Sequence, residues 1–331
     1  MKLILHIGMG KTGSSSIQRA LSESAEMLRA QKVEYLGMWF DMIDPAFRGV
    51  SNQDKFYSQP PEVLRQQAQV FLGALRRRAE EAGTETFILS NEAFSGNSGA
   101  LQPFLGELGK EIEVRAIGYA RNPWSWLPSA YVQWGIRDKT GEGPVPGYEE
   151  KARQLVRWYK GLIEWDERIS GILEVRNYDQ AEDIVQDFAQ AAGVDIVIPQ
   201  KRVLERGEDG EILLRALFNN RFPKHVLPRL FDRAVMGGSQ SVPTLDEALS
   251  KYFDYGSTTR IVEERQELFD QFRDRFGIDL TAQQAAPPAR PDPGQMRDRL
   301  FDYMLEITLD QARRLQNLER QVKELREGRG K

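Results

Sequence analysis

A glycine-rich loop near the start of the sequence constrains the fold more than any other feature. The apolar residues 3–5 (LIL) are followed by residues 6–16, HIGMGKTGSSS, and apolar residues then recur at helical spacing. A strand, a glycine-rich turn and a helix in this order form a cradle for an anion. Glycines let the backbone approach closely, and the free N–H groups at the helix start point at the ligand. The sequence therefore predicts an α/β fold with an anion-binding loop.

The lysine of this loop does not stand where the Walker motif has it. That motif reads G-x-x-x-x-G-K-[ST], with the lysine directly after the second glycine. Gly8 and Gly13 have the required separation, but Ser14 follows them. In the frame that fits Lys11, Leu5 stands where the first glycine should be. Lys11 therefore lies inside the loop rather than after it.

Composition excludes several classes of site. The 331 residues carry a net charge of −4, which provides no global attraction to nucleic acid. The chain has no cysteine, so disulfides, zinc–thiolate sites and thiol nucleophiles are ruled out. Its two histidines, His6 and His225, argue against a multi-histidine metal site. With no long apolar run and no signal-peptide pattern, we expect a cytoplasmic protein without a transmembrane segment.

Strand-like and helix-like patterns alternate through residues 1–195. The predicted strands are residues 2–6, 33–36, 86–90, 114–120 and 172–175. The predicted helices are residues 14–31, 63–78, 148–169 and 181–192, with another beginning at residue 123. Repeated β-α-β alternation predicts a three-layer fold, a parallel sheet with helices on both faces.

The rest of the chain is predicted to contain two long loops, a linker and a terminal helix. Residues 39–61 and 135–147 are expected to be lids or binding loops that select the second substrate. Residues 1–280 are predicted to form one domain, 281–295 a linker, and 296–331 a C-terminal helix. In that helix a short heptad seam, interrupted upstream by Gln311, comprises Leu315, Leu318, Val322 and Leu325. Oligomerisation or partner docking through residues 296–326 and packing back onto the domain both stay open.

A second motif lies at the strand-to-helix junction of residues 119–131, YARNPWSWLPSAY. Arg121 leaves the predicted strand end, Pro123 begins a helix, and Ser129 stands eight residues after the arginine. The carboxyl ends of parallel strands meet at one edge of a sheet, where α/β folds bind ligands. We therefore expect Arg121 and Lys11 to converge on one crevice.

Together the two motifs resemble those of the sulfotransferases that use PAPS (3′-phosphoadenosine 5′-phosphosulfate). Residues 11–15, KTGSS, match the family's K-[ST]-G-[ST]-[ST] loop, and Arg121 with Ser129 matches its 3′-phosphate motif. The Asn-Pro pair after Arg121 is similar to the residues at this place in the bacterial and carbohydrate-type branch of the family. The resemblance covers roughly residues 1–195 and implies a P-loop-containing nucleoside triphosphate hydrolase-like fold.

The resemblance also implies a donor and roles for the motif residues. PAPS would be the co-substrate, a carbohydrate or glycolipid hydroxyl the acceptor, and no metal would be required. Lys11 would stabilise charge on the oxygen that leaves the sulfate, and Arg121 would bind a phosphate through its guanidinium fork. The residues assigned to PAPS in this way are Lys11, Thr12, Gly13, Ser14, Ser15, Ser16, Arg121 and Ser129.

Glu92 is the predicted general base. It follows the strand 86–90, where carbohydrate-type members of the family carry a glutamate, and it would take the acceptor's proton. The simpler interpretation is that Glu92 stabilises the start of the next helix. His6, at the end of the first strand, is the second candidate base, although we expect it rather to pack against or orient the loop.

Two other functions stay open. A P-loop kinase or nucleotide hydrolase would share the fold, but its loop lysine is displaced here. The strand 86–90 also ends in Asn91 and Glu92 instead of the expected aspartate. A non-catalytic adaptor could act through the C-terminal helix, yet such a protein would not need Lys11 or Arg121.

Aromatic and basic residues outside the motifs supply further candidates. Trp124, Trp126 and Trp134 are expected either to line an acceptor groove or to form an aromatic core. Lys201 and Arg202 are candidates for contact with the nucleotide.

Overall fold

The structure is a computed structural model that describes residues 1–139, 141–198, 209–226, 231, 244–282 and 286–328. The chain forms two compact units. Unit 1 comprises Met1–Ala130, Arg153–Glu205 and Thr258–Ala286, and unit 2 comprises Tyr131–Ala152, Arg206–Ser257 and Pro287–Lys331. The domain boundaries drawn from the sequence at residues 280 and 295 stay a prediction.

The described part of unit 1 is built on a parallel sheet of five strands. The strands are β1 Lys2–Gly8, β2 Val33–Tyr35, β3 Thr86–Ser90, β4 Glu113–Ala120 and β5 Leu173–Asn177. Their order is β2-β3-β1-β4-β5, so that β1 is central, with β3 and β4 as its neighbours. The glycine-rich loop, Glu92 and Arg121 therefore all follow carboxyl ends at one edge of the sheet.

Helices of varied length connect and follow the strands. In chain order they are α1 Ser14–Glu23, α2 Ala25–Ala30, α3 Asp54–Tyr57, α4 Pro61–Ala82, α5 Ser98–Leu108, α6 Pro123–Tyr131, α7 Tyr148–Leu155, α8 Tyr159–Arg168, α9 Ile184–Ala192, α10 Asp209–Asn219, α11 Leu245–Tyr252, α12 Thr258–Glu263, α13 Gln266–Phe276 and α14 Pro293–Gly328. Short 3₁₀ turns span Pro45–Phe47, Glu92–Gly96, Val156–Trp158 and Tyr178–Gln180, and a π-helical turn spans Val132–Arg137.

Helices cover both faces of the sheet. On one face, Ile117 of β4 belongs to a buried cluster with Ile17 of α1 and Phe188 of α9. The next residue, Gly118, points to the other face because side chains alternate along a strand, and there it approaches Leu162 of α8. The predicted α/β class, with a parallel sheet between two helical layers, is confirmed.

Two predicted helices are interrupted. The helix predicted over 14–31 is divided at Ser24, whose hydroxyl donates to the carbonyl of Ala20 at 2.6 Å and accepts from the N–H of Val197 at 2.8 Å. A serine that bonds back onto the preceding turn competes with the helical ladder. The helix predicted over 148–169 is divided by the 3₁₀ turn Val156–Trp158.

The segment 39–61 is anchored by buried phenylalanines. Phe40 stacks on Phe56 with ring centroids 4.3 Å apart, and Phe56 also meets Phe104 of α5 edge-on at 5.3 Å. Phe47, in the first turn of the segment, contacts Phe56 as well. An aromatic cluster therefore packs this segment against the rest of unit 1. Its role in acceptor selection stays a prediction.

The loop 135–147 in unit 2 is held by a buried lysine. The ammonium group of Lys139 donates to the carbonyls of Phe222 and Lys224, and the backbone of Val145 bonds to the side chain of Asn220. Burial lowers the pKa of Lys139. Residue 140 lies outside the described part of the chain.

Helix α14 covers the predicted C-terminal helix and begins at Pro293. It contacts α10 and α11 within unit 2. The large apolar side chains that it exposes are Phe301, Met304, Leu305, Leu309, Leu315 and Leu318. The side chains of Val322 and Leu325 lie outside the described part of the chain. Nowhere in the described ranges does a helix have the length and apolar character needed to cross a membrane.

Candidate functional site

The loop between β1 and α1 contains two residues in left-handed conformation. Gly13 has φ +84° and caps the start of α1, while Lys11 has φ +67°. For a residue with a side chain this conformation costs about 1–2 kcal/mol. Such strain concentrates at functional loops, and it fixes where the side chain of Lys11 leaves the backbone.

The inner side of the loop holds a buried hydroxyl without a partner. Thr12 is fully buried and donates its hydroxyl to the carbonyl of Met9 at 3.1 Å. Ser14 is only 3% exposed, and among the described residues its Oγ has no hydrogen-bond partner. A Cβ added to Gly8 would lie 2.6 Å from that Oγ, so only glycine leaves room for it. A buried unpartnered hydroxyl is costly, which points to a ligand atom at this place.

Arg121 meets the loop from the neighbouring strand. Tyr119 on β4 pairs with Gly8 on β1, and the guanidinium of Arg121 donates through Nη1 to the carbonyl of Lys11 at 3.1 Å. Arg121 therefore contacts the loop that carries Lys11, while the crevice shared by their two side chains stays a prediction. Nε of Arg121 donates to Ser125 at 3.0 Å, whereas Ser129 lies farther along α6 and is half-buried.

A tyrosine that sequence reasoning missed lies against Arg121. Tyr178 follows β5, and its ring centroid is 5.0 Å from Cζ of Arg121. Beside it, the carboxylate of Asp179 accepts from the backbone N–H of Asn122 at 2.6 Å. The place of Tyr178 directly after a strand could have indicated this contact, because the residues after β5 reach the same sheet edge as those after β1 and β4.

Trp124 and Trp126 are core residues rather than the lining of a groove. Trp126 is fully buried and donates its indole N–H to the carbonyl of Gly10 at 2.8 Å. Trp124 is nearly buried and donates to Thr259 at 3.3 Å. Of the two alternatives drawn from the sequence, the aromatic core holds for this pair, and Trp126 supports the loop from below. Trp134, in unit 2, is half-buried.

Glu92 opens the 3₁₀ turn that follows β3 and is half-buried. Asn91, not Glu92, caps this turn, because its side chain accepts from the N–H of Ala93 at 2.9 Å. The backbone carbonyl of Glu92 accepts from the hydroxyl of Ser95 at 2.9 Å. Glu92 lies in the first turn behind this cap, so both interpretations of its carboxylate stay open.

Helix α8 packs closely onto the turn that carries Glu92. A Cβ added to Gly161 would lie 2.5 Å from the carbonyl oxygen of Ser95, so the helix can approach only because this residue is glycine. Trp165, one turn later, donates its indole N–H to the carbonyl of Phe94 at 2.5 Å. These contacts fix the turn at the carboxyl edge of the sheet.

Helix α9 is tied to the sheet by an ionic network and packs on the loop. Arg176 donates to both carboxylate oxygens of Asp187, at 2.6 and 2.8 Å, and Tyr119 donates to the same carboxylate at 2.6 Å. At the start of α9, Ile184 lies so close to Gly13 that a Cβ there would be 2.8 Å from Cγ2. Gly13 is thus required both by its φ and by this contact.

His6 is fully buried beneath the loop. Its Nδ1 is 2.7 Å from Oγ of Ser90, and its ring packs edge-on against Phe188 and Tyr119. Burial lowers the pKa of His6 from 6.5 to about 3. A neutral imidazole that resists protonation is a weak base at neutral pH, which favours a packing role for His6 over proton transfer.

The burial of His6 predicts a pH-dependent stability. The unfolded chain protonates this histidine below pH 6.5, but the folded chain does so only near pH 3. Unfolding therefore takes up a proton in this window, and the free energy of unfolding falls by about 2 kcal/mol from pH 6.5 to pH 5. Urea unfolding of wild type and His6→Asn at pH 7 and pH 5 measures this decrease in the free energy of unfolding. We expect a smaller decrease in the variant, and equal decreases would contradict the contribution assigned to His6.

Two further expectations concern contacts of basic residues with the nucleotide and the binding of a metal. Lys201 and Arg202 lie outside the described part of the chain. Within the part that the structure describes, no group of three or more His, Asp or Glu side chains is arranged to hold a metal ion.

Comparisons with known proteins found likeness only among solved structures. No protein-family model matches the chain, and no sequence among curated proteins matches it significantly. A sulfotransferase from Alicyclobacillus acidocaldarius is 12% identical with a TM-score of 0.37, covering 66% of this chain and 95% of that one. The sulfotransferase domain from the curacin biosynthetic pathway is 11% identical with a TM-score of 0.37, covering 80% of this chain and 96% of that one. Similarity at this level does not assign an activity to the chain.

Proposed function

We propose that this protein is a PAPS-dependent sulfotransferase that transfers a sulfuryl group to the hydroxyl of an acceptor. One observation carries the proposal. Among the described residues the buried hydroxyl of Ser14, at the start of α1, has no hydrogen-bond partner, and Arg121 donates to the carbonyl of Lys11 in the loop that precedes this helix. A loop lysine held inside such a cradle, with an arginine from the next strand, suits a donor with two anionic groups.

The residues present fit such a donor. The N–H groups of Ser14 and Ser15 have no earlier helical carbonyl to bond, whereas the N–H of Ser16 bonds the carbonyl of Gly13 at 2.9 Å. The hydroxyls of Ser14, Ser15 and Ser16 lie on the same turn. These groups would hold the 5′-phosphosulfate. Arg121 and Ser129, from the end of β4 and from α6, would hold the 3′-phosphate. The ring of Tyr178 would keep the guanidinium in place.

The donor, when bound, supplies an activated sulfate. The acceptor oxygen forms a new bond to sulfur, the bond from sulfur to the phosphate oxygen breaks, and 3′,5′-bisphosphoadenosine (PAP) leaves. Lys11 would stabilise the negative charge that develops on that oxygen. Glu92 would take the proton of the acceptor hydroxyl, since its turn lies beside β1 at the same sheet edge. The low basicity of His6 supports Glu92 in this role.

A P-loop kinase or nucleotide hydrolase is the second candidate. It would need a lysine placed for β- and γ-phosphates and a carboxylate for Mg²⁺. Asn91 occupies the end of β3, and its side-chain oxygen accepts from the N–H of Ala93. An amide in place of a carboxylate at this position favours the sulfotransferase. A non-catalytic adaptor acting through α14 is a third candidate, and sulfuryl transfer to any acceptor would eliminate it.

Ligand-dependent stability tests the proposal. A ligand present at about 100 times its dissociation constant adds about 2.7 kcal/mol to the free energy of unfolding. We expect PAP to raise the melting temperature more than adenosine 5′-phosphate does, with or without EDTA. In Arg121→Lys this preference for PAP should shrink, because a lysine lacks the guanidinium fork. Stabilisation by ATP with Mg²⁺ and none by PAP would overturn the sulfotransferase in favour of the kinase or hydrolase.

A further inference from the structure

The exposed apolar side chains of the protein are concentrated on α14. Among the described residues, thirteen large apolar side chains are exposed, and six of them lie within residues 301–318 of this helix. Each of the six has more than half of its surface accessible. Water-soluble proteins rarely leave so many large apolar side chains together in solvent, so this surface indicates a partner.

One side of α14 is already used within unit 2. Met296 is buried, and Leu300, Tyr303 and Ile307 are half-buried where the helix contacts α10 and α11. The exposed apolar residues 301, 304 and 305 lie about a third of a turn away from that side, because each residue advances about 100° around a helix. Packing onto unit 2 therefore occupies one side of α14 and leaves the apolar residues of another side exposed.

The heptad seam continues upstream of the four residues that defined it in the sequence. The same alternating steps of three and four residues lead back from Leu315 to Gln311, Thr308, Met304 and Phe301. We call the whole set the extended seam, which comprises Phe301, Met304, Thr308, Gln311, Leu315, Leu318, Val322 and Leu325. It contains four a/d pairs, with Phe301 at the first a position, and this length is typical of a coiled coil.

The two polar residues of the extended seam are compatible with a coiled coil. The hydroxyl of Thr308 donates to the carbonyl of Met304 at 2.7 Å, so its own helix satisfies this group and the methyl can face a partner. Gln311 stands at a d position. A polar residue in a seam lowers stability but favours one register over the others.

The charges beside the extended seam match those of a second copy in parallel orientation. Arg314 takes the g position before Leu315, and Glu319 takes the e position after Leu318. In a parallel pair, a g residue lies next to the e residue five positions later on the other helix. Arg314 of each copy would therefore meet Glu319 of the second copy. Both residues are exposed, and the other three g–e pairs of the sequence contain no like charges.

We propose that α14 pairs with α14 of a second copy of this chain, in a parallel two-stranded coiled coil formed by the extended seam. Arg314 and Glu319 stand on one helix at the spacing that makes it complementary to itself. A different partner would not require this self-complementarity, whereas a two-fold symmetric dimer does. The inference does not rest on the proposed function, because it involves none of the residues assigned to the donor.

The mass of the full chain in solution tests the dimer. In sedimentation equilibrium we expect about twice the chain mass of 37.8 kDa. Leu315→Lys combined with Leu318→Lys should raise the Kd of the dimer at least about 100-fold, because four buried leucines per dimer are lost. Leu309→Lys is the matched control, since Leu309 is as exposed as Leu315, at 62% and 60%, but lies at a b position outside the extended seam. A monomeric wild type, or equal weakening by the control, would overturn the proposal.

Exchange of charges tests the parallel register. Arg314→Glu and Glu319→Arg each bring like charges together in their own homodimers and should each raise Kd about tenfold. When the two variants are mixed, opposite charges meet at both contacts, so the heterodimer should form in preference to either homodimer. Native mass spectrometry of the mixture, with one variant labelled with nitrogen-15, measures the three species. A statistical mixture of dimers would show that the helices do not pair in this register.

Discussion

Lys11→Gly is expected to lower the rate of sulfuryl transfer about 10²- to 10³-fold while PAP still binds. We assign to the ammonium group of Lys11 the stabilisation of negative charge that develops only as the bond to sulfur breaks. Its loss should therefore lower kcat. In the proposed site PAP would be bound by the loop N–H groups, the serine hydroxyls and Arg121, all of which this variant retains. Transfer kinetics with labelled PAPS and calorimetry with PAP give the two quantities.

Glycine is the informative replacement because of the backbone at this position. Lys11 has φ +67°, a conformation that glycine adopts without the cost paid by other residues. The variant should therefore keep its fold, with a free energy of unfolding within about 1 kcal/mol of wild type. A loss of transfer can then be assigned to the missing ammonium group rather than to a collapsed loop.

Lys32 offers a matched control for this variant. It also has positive φ, at +60°, and its exposed side chain pairs with Glu85 away from the loop. Lys32→Gly removes the same side chain from the same backbone conformation and should leave transfer unchanged. If both variants lose transfer equally, or if Lys11→Gly retains it, the role of Lys11 at the leaving oxygen is wrong.

Glu92→Gln is expected to lower kcat about 10²- to 10⁴-fold, the range typical for removal of a general base. Glutamine keeps the size and the polarity of the side chain but cannot accept a proton. The cap of the turn stays intact because Asn91 provides it. PAP affinity and the melting temperature should therefore stay close to those of the wild-type protein.

Glu85 is the control carboxylate for this experiment. It directly precedes β3, at the end of the strand opposite Glu92, and its exposed side chain pairs with Lys32. Glu85→Gln should transfer sulfate at the wild-type rate. Normal turnover by Glu92→Gln would show that the proton goes elsewhere. Loss of PAP binding in that variant would instead indicate a structural role for Glu92.

The strands, the loop and its flanking helix could be predicted from the sequence because their signals are local. The strand predicted at residues 86–90 is observed with the same bounds, and β1 and β4 differ from their predicted ranges by one or two residues. Short apolar runs, the helical spacing of apolar residues and the positions of glycine and proline each involve only a few neighbouring residues. Such short-range patterns do not depend on how the rest of the chain is arranged.

The partners of the motif residues could not be predicted in the same way. Nothing in the sequence indicated that the guanidinium of Arg121 bonds Ser125 or that it lies over the ring of Tyr178. For Trp126 the sequence left a groove and an aromatic core both open, and only the structure shows that it is buried and donates to the carbonyl of Gly10. Each of these contacts depends on which strands are neighbours and on how close the helices approach.

Sequence alone thus determined that a strand, a glycine-rich loop and a helix open the chain, and that a strand-end arginine stands at a second junction. The order β3-β1-β4, which brings Glu92, Lys11 and Arg121 to three adjacent strand ends, is a property of the folded chain. The physical reason is that residues far apart in sequence meet only through packing, and packing reflects the shapes of all the elements together.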